Sequence, residues 1–178
     1  MKIIVDLEAT CCEHDEFPRS EMEIIEIGAC AVEGGGEVIS EFQSFVRPIR
    51  NPILTDFCKT LTSITQDQVD AAPNFPKVLE AFTDWLGQYT TALFCSWGEY
   101  DAKQLRQDCR FHEVEFPFGD QHVNLKAEFS KVFSTRKRFG VGQALWKSGL
   151  EFKGTPHRGI DDARNIARLA TVIESKKV

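Results

Sequence analysis

The sequence predicts an α/β fold, a sheet flanked by helices, on three observations. Apolar runs of strand length recur at residues 2–7, 24–33, 37–46 and 92–97. Between and after them lie stretches with apolar residues at spacings of three and four, most clearly 74–88 and from Ile160 onward. Acidic side chains also gather at the ends of predicted strands, the edge where open α/β sheets bind ligands.

The first strand is Lys2 to Leu7, with Asp6 and Glu8 at its end. Residues two apart in a strand project from one face, so both carboxylates point the same way. Two like charges ~4 Å apart repel by ~4 kcal/mol at an effective dielectric near 20, a penalty that a divalent cation removes. A strand that has simply reached the surface is the alternative. A polar, acidic loop from Thr10 to Glu23 follows. Strands Ile24 to Glu33 and Glu37 to Val46 are joined across Gly34-Gly35-Gly36, a natural hairpin turn. The imperfect alternation of the latter strand fits a sheet edge. Leu54 to Val69 reads as short helical pieces, with a capping box from Thr65 to Gln68.

Asn74 to Gln88 is an amphipathic helix that buries Phe75, Val78, Leu79, Phe82, Trp85 and Leu86. The strand Ala92 to Trp97 leads into Asp101 and a helix with Ala102, Leu105 and Cys109 inside. Asp101 therefore lies just past the end of a central strand, as a ligand-binding residue or as an ordinary helix-start aspartate. Residues 112–123 read as weakly structured, Asn124 to Phe133 as helical, and Val141 to Ser148 as a short helix. Between these last two lies a basic cluster, Arg136-Lys137-Arg138.

The last helix is preceded by His157, five residues before Asp162. Asp162 shares a face with Ile166, Leu169 and Ile173 and points inward. Asp161 shares its face with Asn165, Arg168 and Val172 and points to water, so its replacement by alanine is expected to be nearly silent. An inward carboxylate is costly unless paired or bound to a cation; the alternative is an aspartate that complements the helix N-terminus.

Composition narrows the classes. With 178 residues, 42% hydrophobic and 27% charged, the chain is expected to be one domain, 1–178, of ordinary soluble type. No apolar run approaches ~20 residues, and Asp6 and Glu8 interrupt anything resembling a signal peptide. The six cysteines lack CxxC spacing and read as reduced, in a cytoplasmic protein without a zinc site. Residues 1–90 carry 6 basic and 16 acidic side chains; residues 91–178 carry 15 and 11. This balance argues against coating long duplexes but leaves room for a short strand end on the basic half.

Asp6, Glu8, Asp101 and Asp162 are four carboxylates able to hold two divalent cations, and oxygen ligands favour Mg2+ or Mn2+ over zinc. Two such metals suit phosphodiester hydrolysis. His157 in the same cluster is a candidate general base.

The order Asp-x-Glu, Asp, then His-x4-Asp resembles the DEDD exonuclease superfamily in its histidine-containing branch, and most closely the Eri-type 3′–5′ exoribonucleases. The residues carrying the resemblance are Val5 to Cys11, Glu23 to Gly28, Asp56-Phe57-Cys58, Leu61 to Thr65 and Gly154 to Ala167. It implies an RNase H-like fold with a mixed five-stranded sheet, Asp6, Glu8, Asp101 and Asp162 as metal ligands, and His157 as base. It further implies that a terminal nucleotide meets Phe57 and Tyr100 through its base, Leu61 and Thr62 along the pocket, and the backbone at Ala9 and Thr10 through its sugar. Read from the residues alone, both aromatics could equally be core. The expected partner is a single-stranded 3′ end, RNA before DNA, with no membrane and no required second protein. A DNA exonuclease and an inactive interaction module are the rival readings. Ser63 and Tyr100 depart from the glycine and tryptophan common in relatives, and Pro156 precedes the histidine.

Overall fold

The computed structural model describes residues 1–177 apart from Gly35, Thr90 and Ala92. Among these residues five strands, β1 (Lys2–Ala9), β2 (Ile24–Val32), β3 (Val38–Phe45), β4 (Leu93–Ser96) and β5 (His122–Asn124), form one mixed sheet in the order β3-β2-β1-β4-β5. The β1–β2 and β2–β3 pairs are antiparallel; β1–β4 and β4–β5 are parallel. β1 and β2 occupy the middle and are apolar on both faces, as strands covered on both sides must be. β3 is an edge strand, which accounts for its irregular alternation. Two expected features reach beyond the described residues: Gly35 of the predicted hairpin turn and Ala92, where the sequence placed the start of the fourth strand, both lie outside them.

Among the described residues seven α-helices flank the sheet: α1 (Asp56–Thr62), α2 (Gln66–Asp70), α3 (Phe75–Leu86), α4 (Tyr100–Phe111), α5 (Leu125–Val132), α6 (Val141–Lys147) and α7 (Gly159–Ser175). Ile3, Val5 and Leu7 point to one face, where they meet the predicted stripe of α3 and Ala102, Leu105 and Cys109 of α4. Ile4 points to the other, where Phe129 of α5, Leu145 of α6 and Ile160, Ala163 and Ile166 of α7 pack. By the two-residue period of a strand, Asp6 and Glu8 continue the Ile4 row and face α7. β1 therefore aims its two acidic residues at the last helix.

β5 arises where the sequence suggested weak structure. Three half-buried residues carry no apolar period, and the ladder to β4 (Phe94–His122, Cys95–Val123, Ser96–Asn124) is what makes them a strand. Asn124 then caps α5 through the Ala127 amide. The capping box at α2 forms as its spacing predicts. Ser63 ends α1 in the left-handed conformation (φ 58°), where glycine carries no Cβ penalty. At Gly28 a methyl would lie 2.0 Å from the carbonyl carbon of Gly159, so β2 and the start of α7 touch backbone to backbone. No helix among the described residues is long and apolar enough to cross a membrane.

Candidate active site

Three chain segments converge at the C-terminal end of β1. β1 supplies Asp6 and Glu8. After β4 the chain turns through Gly98 (φ 124°) into α4, whose first turn brings Asp101 back under β1; its Oδ1 accepts a hydrogen bond from the Leu7 amide at 3.2 Å. The first turn of α7 supplies Asp162. Ligand atoms of Asp6, Glu8 and Asp162 all lie within 4.8 Å of one another. Asp101 is outside that trio but adjoins it: after burial itself, its charge contributes most to raising the Asp6 carboxyl.

The electrostatics of this cluster are unfavourable for a metal-free protein. Burial, then the charges of Asp101, Asp162, Glu8 and Glu26, hold Asp6 well above the usual carboxylate range. Burial and Asp162 push Glu8 up to about 8. Burial raises Asp101 to about 6, against the hydrogen bonds it accepts from the Leu7 amide, its own amide and Ser96 and the charge of Lys126. Burial also raises Asp162, although the His157 amide donates to it. None of the four pairs with a lysine or arginine at contact distance among the described residues. Clustered carboxylates without cationic partners are costly and have the donor chemistry that a hard divalent cation requires.

His157 stands on the exposed loop before α7, in a left-handed conformation (φ 60°) that non-glycine residues adopt at a cost. Its amide donates to Asp162 Oδ2 at 2.7 Å. The same loop overturns the expectation for Asp161. Helix phase does turn Asp161 away from the core, but residues 153–155 fold back over that polar face. Asp161 Oδ2 accepts from the Thr155 amide at 2.9 Å and Oδ1 from Arg164 at 3.0 Å, leaving the side chain 20% exposed. Its neighbour on that face, Asn165, is fully buried and exchanges hydrogen bonds with the Lys153 backbone. Periodicity gives the phase of a helix, not what covers its polar side. Asp161→Ala is therefore expected to be felt. Thermal denaturation should show a loss of ~0.5–1.5 kcal/mol for the lost hydrogen bond and exposed pair, and turnover should fall several-fold as the His157 loop loosens.

Glu8, Ala9, Cys11, Met22, Leu61 and Tyr100 line a cleft of about 470 Å³ beside the carboxylates. Tyr100 is 46% exposed and Phe57 37%, so neither is a core residue; Phe57 lies one turn before Leu61 on α1, outside the cleft lining. Ala9 and Thr10 are buried, and the Thr10 hydroxyl accepts from the Glu23 amide. Thr62 lies beneath the wall: its buried hydroxyl donates to the Cys58 carbonyl and accepts from the Ile64 amide. Phe17 and Arg19, together with Met22, belong to the loop that the sequence marked only as polar and acidic. The two apolar residues within it were the available signal. A second cleft, of about 600 Å³, opens on the far side of Asp162 between Pro156, His157 and Gly140 to Gln143. The exposed Arg136-Lys137-Arg138 run leads directly into that wall.

The chain matches the model of the exonuclease family (RNase_T) over residues 3–170. It is 36% identical over 177 residues to 3'-5' exoribonuclease 1 of Homo sapiens, with 94% of this chain and 50% of that protein covered. It is 32% identical over 176 residues to the Bacillus subtilis (strain 168) protein named Probable 3'-5' exonuclease KapD, covering 98% and 85%. Among solved structures, the nuclease domain of 3'hExo, a DEDDh family member, bound to rAMP, superposes with a TM-score of 0.90 at 34% identity, covering 98% of this chain and 91% of that one. The chain spans between about a quarter and a half of the length of the animal relatives it matches. With that agreement over nearly the whole sequence, and an RNase H-like sheet carrying its acidic cluster at the end of β1, the chain belongs to the exonuclease family, in the DEDDh branch, whose members depend on divalent metal.

Proposed function

We propose that residues 1–178 act as one 3′–5′ exoribonuclease domain, removing nucleoside 5′-monophosphates from single-stranded 3′ ends. The observation that carries this reading is the trio Asp6, Glu8 and Asp162, gathered within 4.8 Å, all raised in pKa by burial, and Asp6 and Glu8 also by the charge of Asp162. RNA is favoured over DNA because relatives at 36% and 37% identity are named exoribonucleases. Release of a 5′-monophosphate accords with the neighbour solved with rAMP bound.

Asp6, Glu8, Asp101 and Asp162 would hold two Mg2+ or Mn2+ ions, with all-oxygen donors suited to such hard cations. Bound there, the ions supply Lewis-acid stabilisation of the charge that develops during displacement at phosphorus. The protein's own groups do the rest. The imidazole of His157 takes a proton from the attacking water as its oxygen bonds to phosphorus and the bond to the preceding 3′ oxygen breaks. The departing 3′ oxygen takes up a proton from solvent, so the products are a shortened strand ending in a 3′ hydroxyl and the freed 5′-monophosphate. Tyr100 and Phe57 offer exposed rings to the terminal base, a contact worth roughly 1–3 kcal/mol that any base can make. The Ala9–Thr10 backbone and Leu61 bound the sugar side of the cleft. Upstream phosphates run toward Arg136, Lys137 and Arg138.

The test is digestion of end-labelled single-stranded RNA and DNA, with Mg2+ or with chelator. RNA trimmed from its 3′ end only with metal is the expected result; equal or preferred cleavage of DNA would transfer the reading to a DNA exonuclease, and no cleavage of either would end it. Within the same assay, Tyr100→Ala should raise the Michaelis constant for a dinucleotide ~5–100-fold, following the stacking energy. Normal dinucleotide cleavage by both folded Tyr100→Ala and Phe57→Ala would move the base contact elsewhere.

A further inference from the structure

Glu26 has no role in the chemistry above, yet it is fully buried and its carboxylate accepts four hydrogen bonds. Gln43 Nε2 donates at 2.6 Å and one Arg158 terminal nitrogen at 3.3 Å to Oε1; Arg158 Nε at 3.1 Å and the Gly159 amide at 3.0 Å donate to Oε2. Three of the four donors thus come from residues 158–159, the two that begin α7. Arg158 also lies over the Phe45 ring, 5.1 Å from its centroid. Arg158, the N-cap residue, makes no side-chain cap of its own, and Glu26 caps the helix from across the sheet.

From this anchor the contacts lead straight to the two functional side chains of the segment. The Arg158 carbonyl accepts from the Asp162 amide at 2.9 Å, and Asp162 Oδ2 accepts from the His157 amide at 2.7 Å. We infer that Glu26 is a positioning residue: it fixes the Arg158–Gly159 junction and thereby sets His157 and Asp162 against Asp6 and Glu8. What those groups then do rests on the exonuclease reading; that they are held by Glu26 does not.

Stability alone gives no reason for this arrangement. The body of α7 is already anchored by Ile160, Ile166, Leu169 and Ile173. A buried ion pair is often no better for stability than apolar residues of similar volume. What the apolar face cannot fix is the first turn and the left-handed residue before it. On β2, Glu26 lies opposite Glu8 yet stays outside the carboxylate trio, its oxygens taken up by Arg158, Gly159 and Gln43. Outer partners of this kind are worth about 10–100-fold in activity or metal affinity.

The test compares Glu26→Gln with Asp108→Asn, a control at another buried carboxylate, which accepts from the Ile24 amide and belongs to α4, on the sheet face opposite α7. For Glu26→Gln, kcat on an RNA dinucleotide should fall ~10–100-fold with the Michaelis constant nearly unchanged, as for an interaction that matters to turnover rather than to binding. Calorimetric titration with MnCl2 should give weaker binding, and amide hydrogen exchange at residues 157–159 should quicken while the core amides of α7 keep their protection. The control should lose thermal stability and nothing else. Unchanged kcat, or an equal loss in Asp108→Asn, would overturn the proposal. Should Glu26→Gln fail to fold, Arg158→Met breaks the same pair from its 20% exposed partner and carries the same measurements. If the wild-type protein cleaves neither RNA nor DNA, the exonuclease reading fails, and exchange with MnCl2 binding decides alone. Faster exchange at 157–159 with weaker Mn2+ binding upholds positioning, and no change in either sinks it.

Discussion

Asp6→Asn and Asp162→Ala are expected to abolish metal-dependent hydrolysis and, at the same time, to make the metal-free protein harder to melt at pH 8. The two effects share one cause. Glu8 titrates near pH 8 in the folded protein because burial and its neighbours oppose its charge, whereas its ordinary value is 4.5. A carboxyl raised on folding contributes stability that is present below the unfolded value and is lost as pH rises through the folded one. Metal-free wild-type protein should therefore lose thermal stability between about pH 4.5 and 8, the window set by Glu8, with Asp101 contributing up to about 6. Asp6 and Asp162, raised in the same direction, add to the loss. Removing one charge relieves its neighbours. A relief of ~1–2 kcal/mol, a fraction of the like-charge repulsion, corresponds to a rise of ~2–8 °C for a chain of this size. Mg2+ should stabilise the wild type and have little effect on either variant. A melting temperature that falls in both variants, with hydrolysis intact, would remove these residues from the centre.

The second large effect is expected at His157. Alanine there should cost ~10²–10⁴-fold in turnover, the usual contribution of a general base. It should also change the shape of the pH–rate profile, as loss of a general base does. Because the side chain is exposed and makes no core contact, the melting temperature should barely move. Its loop is held from elsewhere, by Asp161, Asn165 and Asp162. A folded His157→Ala protein with near-normal turnover and an unchanged profile would leave the residue only its place in the loop.

What the sequence made legible follows from what periodicity measures. The six apolar residues of α3, the inward turn of Asp162 and the shared face of Asp6 and Glu8 are local patterns, and the structure preserves each one. Asp101 was legible as a strand-end acid because β4 is a short apolar run with a sharp turn after it. The failures lie where a second segment supplies the meaning. β5 is a strand only because β4 is beside it. Asp161 and Asn165 are covered by a loop twelve or fewer residues earlier in the chain, which no helix period records. Glu26, a single acid in an apolar strand, gains its purpose from Arg158 and Gly159, 132 and 133 residues away. The lining role of Phe17, Arg19 and Met22 depends on how an irregular loop folds back over the cleft.

The backbone contact between Gly28 and Gly159 also has a consequence for how the protein comes into being. Asp6 and Glu8 emerge from the ribosome some 150 residues before His157 and Asp162. At ~5–20 residues per second the two halves are born ~8–30 s apart. During that interval β1 and β2 can pair as a hairpin, but the row of Ile4, Asp6 and Glu8 has no helix against it. Only when α7 arrives and settles glycine on glycine does the acidic cluster close. The acidic cluster is thus incomplete until α7 docks, and the proposed chemistry waits on that docking.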